Sequence, residues 1–234
     1  MSFLRRVVFV PVFLPLIVLL VLGSAKADYY NEPADLVDRA TMVYKGFLVD
    51  PNMDWFKRNV NQARGIFIVP QMLRGGFIVG GSGGRGVLLA QDPATAKWSS
   101  PAFYSIGSLS LGFQAGADAS EIILLIMTDR GLNAMLSTDY KIGADVAVAA
   151  GPVGASAKAQ TADILAFGRS QGVYGGVSIE GAAITPLDEW NRQYYGNAVQ
   201  LYDILISQKA NNKQADRLRQ LLPKPGPNTQ PIGR

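Results

Sequence analysis

The sequence has 234 residues and contains neither cysteine nor histidine. This excludes disulfides, thiolate and imidazole metal sites, cysteine nucleophiles, histidine-dependent triads and the usual proton switch near neutral pH. Three of its 22 basic residues (Arg5, Arg6 and Lys26) lie in a leader-like segment, which leaves 19 against 18 acidic residues in the remaining 207 and no charge excess of the kind nucleic-acid binding uses.

Residues 1–27 read as a cleavable export leader. Arg5 and Arg6 precede an apolar run from Val7 to Leu22, and Ala25 and Ala27 supply the small residues of a cleavage site. The run falls short of the ~20 apolar residues a spanning helix needs. Pro11 and Pro15 also interrupt it. Export with cleavage after Ala27 is the expectation, and a retained membrane anchor is the alternative. No cysteine stands at the cleavage point, so a lipoprotein anchor is excluded.

Next come two amphipathic helices. In residues 33–47, Leu36, Ala40, Val43, Tyr44 and Phe47 recur at three- and four-residue spacing behind Pro33. Asp50-Pro51 opens a second helix to about Ala63, with Met53, Phe56 and Val60 inward and Lys57 and Arg58 elsewhere. From Gly65 to about Pro186 the chain is rich in glycine and β-branched residues. Strands are expected at 65–70, 76–80, 86–90, 107–116, 122–127, 141–150, 163–169 and 173–180, with a short helix at 130–136. The apolar run Ile122–Met127 suits a strand buried on both faces. Glycines inside strands point to bends and bulges. Helices return at 187–195, at 197–207 with Val199, Tyr202 and Ile206 on one face, and at 216–222. The whole reads as an α+β fold: a glycine-rich, mainly antiparallel, curved or barrel-like sheet flanked by N- and C-terminal helices. One domain spans 28–222, and 223–234 form a disordered Pro/Gly-rich tail.

Few motifs carry chemistry. The run Gly80-Gly81-Ser82-Gly83-Gly84-Arg85-Gly86 lacks the Lys-Ser/Thr and following helix of a phosphate loop. A hairpin or bulged connection is the expectation, although its amides and Arg85 would suit an anionic headgroup. Residues 39–91 hold seven bases (Arg39, Lys45, Lys57, Arg58, Arg64, Arg74 and Arg85) against Asp50 and Asp54. That local excess suits an anionic membrane or is ordinary solvated charge balanced by acidic segments elsewhere. Trp55, Trp98, Trp190, Tyr194 and Tyr195 are better read as sheet-packing rings than as interfacial anchors. Asp188 and Glu189 are adjacent, hence ~100° apart on a helix, and do not form a facing catalytic pair. No catalytic residue, metal site or cofactor is expected.

The ordered segments ARGIFIVPQMLRGGFIVGGSGGRGVLLAQD (63–92), WSSPAFYSIGSLSLGFQAG (98–116), KIGADVAVAAGPVGASA (141–157) and GRSQGVYGGVSIEGAAITPLDEWNRQYYG (168–196) resemble the SYLF domain. In eukaryotic members it is also called the Ysc84-type actin-binding region. The resemblance implies a non-enzymatic module that binds anionic lipid at a membrane surface. It associates basic residues near the domain's start with that binding, here Lys57, Arg58, Arg64 and Arg74, to which the glycine run adds Arg85. The sequence carries no SH3 or FYVE segment. With its leader, this makes cytoplasmic actin and phosphoinositides unsuitable partners. A lipid of a bacterial envelope or periplasm is expected instead, and an envelope scaffold that binds protein is the alternative.

Overall fold

The computed structural model describes residues 32–76, 79–111, 116–137, 140–141, 143, 146–151, 161–170, 173–176, 179 and 181–224. The expected leader and residues 225–234 of the expected tail lie outside the described residues, as do parts of the expected strands at 76–80, 107–116, 141–150 and 173–180.

Helix α1 (Pro33–Val49) starts with proline in its first turn and buries Leu36, Val37, Ala40, Val43, Tyr44 and Phe47. The Asp50 carboxylate accepts the Asn52 amide at 2.7 Å, opening a 3₁₀ turn that leads into α2 (Asp54–Asn59). Strands β1 (Gly65–Gly76), β2 (Val79–Ala90), β3 (Ala102–Leu111) and β4 (Gly116–Ile126) follow, then α3 (Asp129–Met135). Strands β5 (Tyr140–Lys141), β6 (Val148–Ala150), β7 (Ile164–Ser170), β8 (Val173–Gly176) and β9 (Ala183–Pro186) complete the sheet. Helices α4 (Asp188–Tyr195), α5 (Leu201–Leu205) and α6 (Asp216–Leu221) close the described chain.

The fold is α+β, with a curved sheet and helices at both ends. The strand order is β5-β9-β3-β2-β1-β4-β7-β6, with β8 also on β7. Among the described residues every ladder is antiparallel except β6–β7. Each face of the sheet has its own core. On one face Ile66, Ile68, Val87, Leu89, Phe103, Ile123, Leu125, Leu165 and Phe167 meet α1, α2, α4 and α6. On the other, Phe67, Val69, Leu88, Tyr104, Ile122, Leu124 and Ile164 meet α3 and α5. Hence Ile122–Ile126 are all fully buried, as the unbroken apolar run implied.

The glycine run differs from its expected form. It lies inside β2, which starts at Val79 and takes in the whole of the expected 86–90 strand, while Gly76 ends β1 and residues 77–78 lie outside the described residues. Strand β1 likewise continues past Pro70. Both of its ladders shift register there: Ile68 faces Val87 and Gln71 faces Arg85, while Val69 faces Ile122 and Met72 faces Ser120. Proline has no N–H to give a ladder, so a bulge accommodates it. Glycine is needed opposite the bulge. A Cβ on Gly84 would lie 2.5 Å from the Gln71 carbonyl oxygen, and one on Gly86 2.5 Å from that of Ile68 and 2.6 Å from the Phe67 ring.

The expected helix at 197–207 shortens to α5. Gly196, at φ 72°, ends α4 in the left-handed conformation that glycine tolerates. Ile204 and Leu205 face the core, whereas Tyr202 is 60% exposed. The packing reading of the aromatics is the one realised. Trp98 and Tyr194 are buried, Trp190 packs edge-on to Phe103, and Trp55 lies 5.7 Å from Phe167.

The C-terminal segment returns to α1. Gln214 donates to the Ala34 carbonyl at 3.1 Å and to the Asp38 carboxylate at 2.8 Å, and accepts from the Tyr194 hydroxyl at 2.6 Å.

Candidate basic and apolar surface

Helix α1 buries one face and turns another to solvent. At ~100° per residue, Asp35, Asp38, Met42, Lys45 and Val49 fall within a stripe about 80° wide. Its first half is acidic, and its second half pairs apolar groups with a cation. Met42 is 65% and Val49 72% exposed; with Tyr202 they are the large exposed hydrophobic residues of the described chain. Lys45, between them, is exposed.

Helix α2 follows directly. Phe56 is fully buried and stacks edge-on with Tyr44 and Phe47, while Lys57 and Arg58 turn away from the core. The Lys57 ammonium lies 2.9 Å from Asp54. Its hydrogen bond, with its charge, holds the Asp54 carboxyl below its ordinary pKa. Arg58 is exposed and makes no ion pair among the described residues.

The other expected basic residues lie elsewhere. Arg64 precedes β1 and approaches Asp129 at 3.3 Å. Arg74 lies ten residues further on, about 30 Å along an extended strand. It is exposed and sits between Ser82 of β2 and Asp118 of β4 in register. By alternation from Met72, it belongs to the face that α3 and α5 cover. Arg85 belongs to the opposite face, with its guanidinium 4.7 Å over the Trp190 ring. So Lys57 and Arg58 share one short helix with Arg64 close in sequence, while Arg74 and Arg85 stand apart on opposite faces. The five residues do not converge on one surface. Sequence reasoning missed Met42 and Val49, although their spacing from Lys45 was the available signal.

Two further charged groups lie beneath the helices. Arg169 donates to Glu121 through Nε at 2.6 Å, and its guanidinium stacks 5.7 Å from the Phe47 ring. This happens where Gly46 brings α1 close to the sheet: a Cβ there would lie 3.3 Å from Arg169 Nη2. At the far end of β7, Asp163 is buried. Its carboxylate accepts from Thr128 Oγ1 at 2.6 Å, Arg130 Nε at 3.1 Å, Arg130 Nη2 at 2.5 Å and the Ala147 amide at 3.0 Å. Burial alone pushes this carboxyl's pKa up, but the four donors outweigh it and the net shift is downward. Thr128 also caps α3 by accepting the Gly131 amide. These contacts join α3, β6 and β7 and account for the two groups structurally. Among the described residues, no three carboxylates cluster as a metal site would require, and no helix is long and apolar enough to cross a membrane.

The family model described as Ysc84, Las17-binding protein actin regulator, matches residues 107–224. The chain is 30% identical over 169 residues to human SH3 domain-containing YSC84-like protein 1, covering 70% of this chain and 49% of that protein. The Xenopus laevis protein of the same name is 27% identical over 170 residues, covering 70% of this chain and 50% of that protein. LAS seventeen-binding protein 3 of Saccharomyces cerevisiae is 30% identical over 146 residues, covering 59% and 31%. The chain spans about half the length, or less, of these curated relatives. With its motifs in order and its α+β architecture, the chain belongs to the Ysc84, or SYLF, family.

Proposed function

We propose that this chain is a non-enzymatic lipid-binding protein of the cell envelope, exported behind residues 1–27 and bound to an anionic membrane surface. The observation that carries the reading is the outward stripe of α1. Met42 and Val49 stand exposed on either side of Lys45, and α2 follows with Lys57 and Arg58. Apolar side chains that flank cations suit the boundary between headgroups and acyl chains. Each basic residue close to an anionic surface contributes ~1 kcal/mol, screened by salt.

Flotation with vesicles of phosphatidylglycerol in phosphatidylcholine tests it. Binding is expected to rise with the anionic fraction and to fall as salt rises. Lys45→Glu/Lys57→Glu/Arg58→Glu should weaken it by tenfold or more, and Met42→Ser/Val49→Ser by a smaller factor that salt does not change. All five residues are at least partly exposed, so each variant should keep its melting temperature. A folded triple variant that floats as well as wild type at low salt sinks the assignment to this surface.

A second reading takes its support from the relatives. The family description and the yeast relative's name both refer to Las17 binding, which favours a scaffold that recognises a protein. Wild-type chain that stays off both neutral and anionic vesicles, yet co-purifies from the envelope with one protein in fixed ratio, favours that reading.

A further inference from the structure

We propose that a cleft between the β2–β3 loop and the C-terminal segment is a second site, one that binds a phosphate ester. The cleft holds about 300 Å³ and is lined by Lys97, Trp98, Arg219, Leu222, Pro223 and Lys224. It is built from elements other than the α1–α2 surface.

Its walls are ordered by specific bonds. The Asp92 carboxylate accepts the Ala94 amide at 2.8 Å and the Thr95 hydroxyl at 2.9 Å. Backbone bonds from Ala96 to Asp92 (2.7 Å) and from Asp92 to Lys97 (2.9 Å) close the turn. Ala96 is held at φ 53°, a left-handed conformation rare for a residue with a Cβ. The next residue is Lys97, whose carbonyl also accepts from Gln208. On the opposite wall, Arg219 is oriented by Asp216 and by Asn211, the latter at 3.0 Å. The floor is apolar: Trp98 is 8% and Leu222 2% exposed, and the Trp98 indole N–H donates to the Pro223 carbonyl at 2.8 Å.

The charge balance decides the ligand class. Asp216 is engaged by Arg219, and Asp92 is committed to its own turn. Lys97 and Lys224 are exposed and have no ion-pair partner among the described residues. Two ammonium groups free of ion pairs, of which Lys97 lies within electrostatic reach of Asp92, stand beside a fixed guanidinium and favour a multiply charged oxyanion. The apolar floor favours one attached to carbon, and the volume suits a headgroup-sized fragment. The phosphate belongs to a lipid headgroup or to a soluble ester; the lipid source alone rests on the function proposed above.

The test pairs two probes on wild-type chain and on Lys97→Glu/Lys224→Glu, with Arg219 left intact. Glycerol 3-phosphate is titrated while the Trp98 indole N–H is followed by NMR, with the signal assigned through Trp98→Phe. Flotation on vesicles of phosphatidic acid in phosphatidylcholine, whose phosphate is a monoester like that of the soluble probe, runs in parallel. The indole signal should shift in wild type, and the double variant should bind about tenfold more weakly or worse. If flotation falls with it, the phosphate is a lipid's; if flotation is unchanged while the indole response is lost, it is a soluble ester's. Should wild type fail to float at all, the indole titration still decides the cleft. Lys97→Gln/Lys224→Gln, with an unchanged melt, guards against misfolding. An indole signal that glycerol 3-phosphate leaves in place, or shifts equally in wild type and variant, overturns the site whatever the flotation shows.

Discussion

Strand β1 is two strands in character, divided at its bulge. Before Pro70, Gly65–Val69 lie between Ile122–Ile126 on one side and Val87–Ala90 on the other, buried on both faces. Beyond it, the same neighbours present polar or small groups. Ser82 bonds Ser108, Ser170 bonds Asp118, and Arg85 stacks on Trp190. Both halves pair with β2 and β4, with a register shift only at the bulge, so what changes is the medium the side chains meet. The glycines divide the same way. Gly84 and Gly86 make close backbone contacts at the bulge, whereas nothing lies within 4 Å of a Cβ on Gly75, and one on Gly83 meets its nearest atom at 3.9 Å. A glycine-rich run is therefore not a uniform loop, nor a ligand cradle by default.

Substituting those glycines breaks the comparison most sharply. Gly86→Ala forces a methyl against the Ile68 carbonyl and the Phe67 ring. It should cost about 3 kcal/mol by chemical denaturation, the upper end of overpacking in a closed core. Gly83→Ala, three residues away, should be neutral or slightly stabilising, because alanine gives up less backbone entropy in a strand. Equal losses at both positions would show that the two halves are packed alike.

The apolar half ends at one buried carboxylate, which sharpens the contrast. Asp163→Asn keeps the shape but loses the charge that Arg130, Thr128 and the Ala147 amide surround. A loss of about 2 kcal/mol at pH 7 is expected. The sign with pH follows from the lowered native pKa. The carboxylate's contribution is complete above the unfolded value near ~4 and fades as pH falls through the lower native one. Urea titrations at pH 7 and at pH ~2.5 should therefore show the gap between wild type and variant narrowing in acid. A gap that widens in acid would contradict the downward shift.

Much of this was legible in the sequence wherever neighbours along the chain decide structure. The spacing of Leu36, Ala40, Val43, Tyr44 and Phe47 alone marks the buried side of α1, and the run from Ile122 announces a strand covered on both faces. Gly80–Gly86 misled because its extended form depends on ladders to β1 and to β3, the latter pairing Ser82 with Ser108 across 26 residues. Arg74 shows a subtler effect. Plain alternation from Ile66 and Ile68 puts it on the face α1 covers, but the bulge at Pro70 moves Met72 and everything after it to the other face. Charge counted along the chain carries no face label. Hence five basic residues that suggest one patch are distributed over α2, the mouth of β1 and both sides of the sheet.

The smallest expected effect lies in the polar half. Ser82 and Ser108 face each other in the β2–β3 ladder, hydroxyl to hydroxyl at 2.8 Å and half-buried. If that half is a solvated rim, water replaces either hydroxyl cheaply. Ser82→Ala and Ser108→Ala should then each cost ~0.5 kcal/mol, near the low end for an intramolecular hydrogen bond. The double variant should cost about as much as either single one, since the first change already removes the shared bond. A closed polar core predicts a different cycle. Each single change would strand the partner's hydroxyl away from water, at ~1–3 kcal/mol, and the second would recover much of that loss. Denaturation midpoints of the four proteins, read at constant m-value, separate the two cases. Recovery of more than ~1 kcal/mol in the double variant would mean that the sheet beyond the bulge is as dry as the half before it.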